Sequence, residues 1–246
     1  MWGKASKKKV LVINGSPKQN KSTTMVITNA FVKGIKEYED VDLEVINVSS
    51  LNVRPCTGCL SCWGKTEGEC VIKSDDVSMV KAKILSTDVI ILSFPLFFFG
   101  LPGECKVLMD RLLSMMLTYR GHKPPLDGSS FHGLRYENTD QRVIIISSCA
   151  YTEVNKVYDS ITSEFDYILG KNKYIPIFVP QVKTLVDIKN ENKLSRFLKK
   201  FNEAGRTFME NGALDVTDRE NLSKAPFSEG AYKIFLDQFW KEEKEQ

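Results

Sequence analysis

Short apolar runs rich in β-branched residues alternate along this chain with longer segments of helical periodicity. Five such runs occur, at residues 9–13, 43–48, 88–94, 142–147 and 174–179. A chain in which strands and helices alternate forms a mainly parallel sheet with helices on both faces. The sequence therefore predicts an α/β fold, a three-layer α/β/α sandwich around a five-stranded parallel sheet.

The segments between and after these runs predict five helices, at residues 22–37, 75–85, 102–117, 154–169 and 193–209. Two regions depart from this alternation. Residues 119–140 are rich in Gly, Pro and polar side chains, and we expect an inserted loop near the functional site. The tail, residues 213–246, contains AYKIFLDQFW, which predicts an amphipathic helix packed on the body or on a partner subunit. Without repeats or linkers, residues 1–246 are predicted to form a single domain with its core at about 8–212.

Charge and composition exclude several classes of protein. The 246 residues carry 34 Lys and Arg against 31 Asp and Glu, too even a balance for a protein of nucleic acids or anionic membrane surfaces. The longest uncharged run, VIILSFPLFFFGLPG at residues 89–103, contains two prolines and is too short to span a bilayer. We therefore expect a cytoplasmic protein without membrane or nucleic-acid partners. Thiols stay reduced in that compartment, so stable disulfides are not expected.

The sequence NGSPKQNKST, residues 14–23, follows the first predicted strand and precedes the first predicted helix. Backbone N–H groups at a helix N-terminus converge on an anion, and the helix dipole adds to the attraction. The segment also offers side-chain donors to phosphate oxygens, namely Ser16, Lys18, Ser22 and Thr23. It contains neither a Walker A motif nor G-x-G-x-x-G, so nucleoside triphosphate hydrolysis and Rossmann dinucleotide binding are disfavoured. The alternative is a plain turn, with Gly15 for its geometry and Ser22 as the helix cap.

The third predicted strand ends in SFPLFFFGLPG, residues 93–103, a proline-bent aromatic loop that leads into another helix. In a doubly wound sheet of strand order 2-1-3-4-5, strands 1 and 3 end on either side of the switch point, where ligands bind. A phosphate-binding loop on one side and an aromatic wall on the other suit a ligand with a phosphate tail and a flat ring. FMN is such a ligand.

Three groups of motifs together resemble one family. VLVINGSPK with Ser22 and Thr23, CTGCLSCW with GECVIKSDD, and SFPLFFFGLPG with KVLMDR follow one another over roughly the first half of the chain. In this order they are similar to the NAD(P)H-dependent FMN reductases of the flavodoxin-like superfamily, and among these to the iron-sulfur flavoproteins. The second half of the chain adds only its strand spacing to the resemblance.

The resemblance implies a flavodoxin-like fold and three groups of FMN-binding residues. The residues implied at the phosphate are Ser16, Lys18, Ser22 and Thr23. The residues implied around the isoalloxazine are Pro95, Leu96, Phe97, Phe98 and Gly100. A third loop, after strand 4, would be formed by Cys149, Ala150 and Tyr151. The family more often has Tyr or Trp where this chain has residues 97–99, so ring stacking rather than hydroxyl contacts is implied there.

The resemblance also implies an activity, namely hydride transfer from NADH or NADPH to FMN and then electron transfer to a small-molecule or protein acceptor. The flavin carries this chemistry, so no catalytic side chain is required. The two histidines, His122 and His132, lie in the inserted loop without a hydrolase motif. Assembly as a homodimer or higher homo-oligomer is common in the family. The alternative is a non-enzymatic electron carrier similar to flavodoxin, which the nearly even charge disfavours because such carriers are usually acidic.

Four of the six cysteines follow the spacing C-x2-C-x2-C-x7-C, and they are Cys56, Cys59, Cys62 and Cys70. Ferredoxin-type runs of this kind bind clusters, and iron-sulfur flavoproteins have a similar motif after strand 2, so a [4Fe-4S] cluster is one interpretation. A zinc site and a metal-free loop of reduced or redox-active thiols are the alternatives. Cys105 is predicted to be a small buried apolar residue. Trp63 would either cover the flavin edge or bury its loop against the body.

Overall fold

The computed structural model describes residues 7–123, 125–126, 128–136 and 138–245 of the chain. Five parallel strands form one sheet in the order β2-β1-β3-β4-β5. The strands are β1 (Lys8–Asn14), β2 (Val41–Asn47), β3 (Val89–Pro95), β4 (Arg142–Cys149) and β5 (Ile175–Pro180). Each lies within two residues of its predicted bounds, and the predicted sheet and strand order are confirmed.

Helices cover both faces of this sheet. The described α-helices are α1 (Thr23–Tyr38), α2 (Val77–Leu85), α3 (Gly103–Arg111), α4 (Asp159–Leu169), α5 (Val182–Asp187), α6 (Glu191–Asn211), α7 (Val216–Leu222) and α8 (Glu229–Glu245). One apolar cluster joins the sheet to α1 and α5 to α8, and a second joins the opposite face to α2, α3 and α4. The three inner strands are buried along most of their length, as expected in the middle of a covered parallel sheet. The three-layer architecture is therefore confirmed.

Several predicted helix bounds are wrong. The helix predicted at residues 102–117 ends at Arg111, where a 3-10 turn follows. The helix predicted from residue 154 begins only at Asp159, since Lys156 has a φ of 62°, which an α-helix does not accommodate. Sequence periodicity did not predict α5 and α7 because helices of six and seven residues are too short to show it.

The tail contains the predicted amphipathic helix as α8. Its Tyr232 is buried and its Phe235 packs against the core, whereas Ile234 and Trp240 are exposed. The predicted inserted loop and the predicted tail each include residues outside the described part of the chain. None of the described helices has both the length and the apolar composition needed to cross a bilayer.

The helices α1 and α6 cross at two glycines. A Cβ on Gly34 would lie 1.9 Å from the backbone oxygen of Asn202, and a Cβ on Gly205 would lie 2.0 Å from that of Phe31. The two backbones are therefore nearly in contact, which only glycine allows. This crossing fixes α1 against the sheet, and the N-terminus of α1 forms part of the candidate site.

Candidate functional site

The loops that follow β1, β3 and β4 lie at one edge of the sheet. The register pairs Asn14 with Ser93, and Pro95 with Ser148, so these strands end side by side. The loops begin with hydrogen bonds across this edge, because Gly15 N donates to Ser93 O at 2.8 Å and Leu96 N donates to Ser148 O at 2.9 Å. The carboxyl ends of β1 and β3 form the switch point of this strand order, where ligands of such sheets bind.

The first of these loops ends in a 3-10 turn and the N-terminus of α1. Ser16 and Ser22 are buried, Thr23 is half-buried and Lys18 is exposed. The side chain of Ser22 accepts no capping hydrogen bond, although Ser22 occupies the N-cap position. Ser22 therefore occupies the cap position that the alternative interpretation gives it, but its hydroxyl makes no capping bond. The first N–H groups of α1 are left without that partner, which is the arrangement in which a helix N-terminus binds an anion.

Asn14 fixes the start of this loop, and sequence analysis missed it. Its buried side chain accepts from Ser16 N at 3.0 Å and donates from Nδ2 to Asn47 Oδ1 at 2.8 Å. The loop is therefore tied to the ends of both β1 and β2. The only signal in the sequence was an Asn at the end of an apolar strand, which is also a common turn residue.

Two hydroxyls on the buried face of α1 hold the helix to the inner strands. Thr24 Oγ1 lies 2.6 Å from Ser148 Oγ, and Thr28 Oγ1 lies 2.8 Å from Ser93 Oγ. These bonds satisfy buried polar groups and fix the position of α1 relative to β3 and β4. The sequence carried a weak signal for them, because two threonines four residues apart interrupt an apolar helix face.

The second loop turns tightly at two phenylalanines. Phe97 N donates to Gly100 O at 3.1 Å, and Gly100 N donates to Phe97 O at 2.9 Å. The two residues inside this turn, Phe98 and Phe99, both have positive φ, 48° and 61°. Turns of this form favour Asn and Gly, and a bulky residue with positive φ costs about 1–2 kcal/mol. Phe98 is 99% exposed, so packing against this chain does not offset that cost.

Phe98→Asn is therefore expected to raise the free energy of unfolding by about 1 kcal/mol, because Asn tolerates positive φ and the exposed ring contributes little packing. Phe97→Asn is the matched control, since Phe97 has no positive φ in the same turn and should bring no gain. Urea denaturation of the flavin-free protein measures both. An unchanged midpoint for Phe98→Asn would show that the turn is not strained.

The third loop meets the second. Cys149 is buried at the end of β4, and Tyr151 stacks on Phe99 with ring centroids 5.5 Å apart. The tail contributes as well, because the hydroxyl of Tyr232 in α8 donates to Ala150 O at 2.6 Å. Tyr151 is about half exposed at this edge. The two predicted ring-binding loops are thus in direct contact, and α8 supports one of them.

The segment 56–70, which we call the cysteine segment, brings its four thiols to one place. Cys56, Cys59, Cys62 and Cys70 line a single cavity together with Arg111 of α3. All four are free thiols, as are Cys105 and Cys149. Burial raises the pKa of the Cys62 thiol, and the charges of Cys70, Cys56 and Cys59 raise it further.

Neighbouring groups shift the pKa values of these thiols in different directions. Hydrogen bonds from Ser61 hold the pKa of the exposed Cys59 thiol below its usual value. Burial alone would lower the pKa of the Arg111 guanidinium, but its hydrogen bonds to Asp75, together with the proximity of the Cys70 sulfur, raise it. Within the described ranges, no three His, Cys, Asp or Glu side chains are arranged to hold a single metal ion. Burial raises the pKa of Cys105 to about 12, and its place on the buried face of α3 within the second apolar cluster confirms the predicted apolar role.

Trp63 packs on the inserted loop. Its ring lies 5.1 Å from the ring of His132, and its carbonyl oxygen accepts from Thr118 Oγ1 at 3.3 Å. Of the two interpretations of Trp63, the structure supports burial of the loop. His122 is exposed, and Phe131 O accepts a hydrogen bond from its Nε2 at 2.9 Å.

A larger groove runs beside the cysteine segment, between α3 and α4. Its cavity volume is about 870 Å³, and its walls are mostly apolar, including Leu108, Met115 and Phe165. Cys56 and Gly58 border both this groove and the thiol-lined cavity. An apolar molecule in the groove would therefore lie next to the cysteine segment.

The family model for the flavodoxin-like fold matches residues 8–179, which is more than half of the chain. The chain belongs to this flavodoxin-like family. The match begins with β1 and ends one residue before the end of β5, so it includes β1 to β4, nearly all of β5 and the three loops at the candidate site. The resemblance stated from the motifs is confirmed at this level.

Curated relatives of this flavodoxin-like protein match about half of its length. An iron-sulfur flavoprotein of Methanocaldococcus jannaschii is 39% identical over 112 residues, 46% of this chain and 55% of that protein. An iron-sulfur flavoprotein of Archaeoglobus fulgidus is 34% identical over 122 residues, 49% of this chain and 50% of that protein. The chain spans about half the length of these curated relatives.

Solved structures share the fold at low identity. The FMN-dependent NADH-azoreductase of Bacillus anthracis, in complex with FMN, superposes with a TM-score of 0.59 at 17% identity, over 82% of this chain and 99% of that one. The NAD(P)H:quinone oxidoreductase of Methanothermobacter marburgensis gives a TM-score of 0.58 at 16% identity, over 85% and 100%. These similarities support the flavodoxin-like fold alone.

Proposed function

We propose that this flavodoxin-like protein binds FMN, oxidises NADH or NADPH with it, and passes the electrons to an acceptor through a [4Fe-4S] cluster on the cysteine segment. One observation carries the proposal. The N-terminus of α1, where Ser22 makes no side-chain capping bond, and the aromatic turn at residues 97–100 lie at the carboxyl ends of β1 and β3, and the four thiols line one cavity in the segment that follows β2. The names of the relatives, iron-sulfur flavoproteins and FMN-dependent reductases, support the same reading.

The phosphate would bind at the N-terminus of α1. The hydroxyls of Ser16, Ser22 and Thr23 and the ammonium of Lys18 donate to its oxygens, together with the first N–H groups of the helix. The residues fit this group because the Ser22 hydroxyl forms no capping bond and Asn14 already holds Ser16 N in place. The helix dipole favours the negative charge there.

The isoalloxazine would lie against the second and third loops. The residues that would border it are Pro95, Leu96, Phe97, Phe98 and Gly100 on one side and Cys149, Ala150 and Tyr151 on the other. When bound, FMN supplies the hydride acceptor for the nicotinamide. The side chains orient the ring and exclude water from one face, and no side chain needs to transfer a proton for the hydride step. The stacked Tyr151 and Phe99 rings would form part of this wall.

The cluster would be held by Cys56, Cys59, Cys62 and Cys70. A [4Fe-4S] cluster is bound by four cysteine thiolates. These residues fit such a cluster because all four are free thiols and line one cavity. The alternatives to the cluster are a zinc ion in this cavity and thiols that bind no metal. The adjoining apolar groove favours a small apolar electron acceptor, which could approach the cluster there. A cytoplasmic location and a homodimer or higher oligomer remain part of this proposal.

Anaerobic visible spectra test the proposal. The purified protein, loaded with FMN, should lose its flavin bands on addition of NADH or NADPH. Flavin that binds but stays oxidised with both nucleotides would instead support the electron carrier. A protein that cannot be loaded with FMN would contradict both functions.

Cys59→Ala is expected to lower the iron content of the anaerobically reconstituted protein at least fivefold, because a cluster that loses one of its four thiolates is poorly retained. FMN binding should be unchanged. Cys105→Ala is the matched control, since it removes a buried thiol outside the thiol-lined cavity and should leave the iron content unaffected. Iron analysis and absorbance near ~400 nm measure the result. Equal iron in the two variants would rule out this ligand set.

A further inference from the structure

Arg111, the last residue of α3, is an arginine buried beside the cysteine segment. Its Nη1 lies 2.6 Å from Asp75 Oδ2 and its Nη2 lies 3.3 Å from Asp75 Oδ1, and neither side chain has exposed surface. Burying an ion pair contributes little to stability, because removing two charges from water costs about as much as their attraction returns. The buried pair is therefore better explained by the chain segments that it holds in position.

The guanidinium bonds both ends of the cysteine segment. Its Nη1 also donates to Arg54 O at 2.6 Å, two residues before Cys56, and its Nη2 donates to Ile72 O at 3.0 Å, two residues after Cys70. Asp75 accepts from Arg54 N at 3.1 Å, which adds a third tie. The ion pair thus closes the segment into a loop at its base.

The remaining donor of Arg111 is free for another acceptor. Among the described residues, its buried Nε has no hydrogen-bond partner. Arg111 also lines the cavity of the four thiols and borders Cys70. A buried N–H group without an acceptor costs about 1–3 kcal/mol, so an acceptor in that cavity would remove a real penalty. Four thiolates around a cluster carry net negative charge and offer sulfur acceptors.

We propose that Arg111 is a positioning residue of the cluster site. It closes the base of the cysteine segment through Arg54 and Ile72, and its Nε–H donates to sulfur at the cluster. This inference rests on the proposed cluster. A hydrogen bond and a positive charge beside the sulfurs stabilise the more negative, reduced cluster, so they raise its reduction potential.

Arg111→Gln and Arg111→Lys test the two roles in the full chain. The matched control is Arg135→Gln, since Arg135 also bonds the cysteine segment, through Glu67 at 2.8 Å, and also has a buried Nε without a partner. Arg135 does not line the thiol cavity. Arg111→Gln should speed amide hydrogen exchange in residues 56–70 at least tenfold in the cofactor-free chain and at least halve the iron retained on reconstitution. Arg111→Lys, which keeps the charge, should retain more iron but give a more negative midpoint potential.

The outcomes separate this inference from the proposed function. Unchanged exchange in Arg111→Gln, or an equal change in Arg135→Gln, overturns the positioning role whether or not iron binds. A wild-type midpoint potential in Arg111→Lys overturns the donation to sulfur. If the wild-type chain retains no iron, the cluster proposal fails and with it the donation from Nε, while the exchange measurement still decides whether Arg111 orders the segment. If it retains iron but its flavin is not reduced by NADH or NADPH, only the reductase activity fails.

Discussion

Thr23→Asp is expected to weaken FMN binding by about 100-fold. Thr23 is the first residue of α1, where the proposed phosphate site lies. A carboxylate there opposes the phosphate at about 4 Å, and two like unit charges at that distance near a protein surface repel by about 4 kcal/mol. Partial relaxation of the site reduces this repulsion to about 2.7 kcal/mol, which corresponds to a 100-fold weaker affinity for FMN. Titration of the flavin-free protein with FMN, followed by quenching of flavin fluorescence, measures it.

Thr23→Val is the matched control for charge. It removes the hydroxyl without adding a carboxylate, so FMN binding should weaken by only about fivefold, the value of one hydrogen bond. The flavin-free Thr23→Asp protein should be at least as stable as the wild type, because an acidic side chain in the first turn favours the helix dipole. FMN affinities within about threefold of one another for the aspartate variant and the wild type would place the phosphate elsewhere.

Gly34→Ala is expected to destabilise the protein by about 3 kcal/mol. The added methyl would overlap the backbone oxygen of Asn202, so α1 and α6 would have to separate along their whole crossing. Gly205→Ala should cost about as much, since it enters the same crossing from the other helix. Because one separation relieves both clashes, the double variant should cost less than the sum of the single variants. Urea denaturation measures all three.

Gly230→Ala provides the control for helix propensity. Gly230 lies in α8, and an added Cβ there meets no atom within 4 Å. This change should stabilise the protein by about 0.5–1 kcal/mol, because alanine forms helix more readily than glycine. A loss of stability in Gly34→Ala no greater than about 1 kcal/mol would contradict the close contact of the two helices.

The sheet could be predicted from the sequence because its signals are local. Each inner strand is a continuous β-branched run, such as the buried residues of β4, and each is separated from the next by a segment long enough for a crossover. Helix ends were harder to predict. Residues 112–116, LLSMM, remain mostly apolar after Arg111, so no local signal marked the end of α3.

The parts of the candidate site that depend on distant pairs could not be predicted. Asp75 resembled an acidic residue at the start of a helix, but its carboxylate pairs with Arg111, far along the chain. The same holds for Tyr232, whose hydroxyl reaches Ala150 O from the tail. The strained turn at Phe98 could not be predicted either, because two adjacent phenylalanines ordinarily indicate a strand or a buried core rather than residues with positive φ.

The most direct test of the flavin site compares FMN with riboflavin, which has the same ring and no phosphate. Equilibrium titration of the flavin-free wild-type chain with each ligand gives the contribution of the phosphate alone. If the N-terminus of α1, Ser16 and Ser22 bind the phosphate, FMN should bind about 100-fold more tightly than riboflavin, since charge-assisted hydrogen bonds contribute most of the difference. Equal affinities for the two ligands would contradict a phosphate site at this end of the sheet.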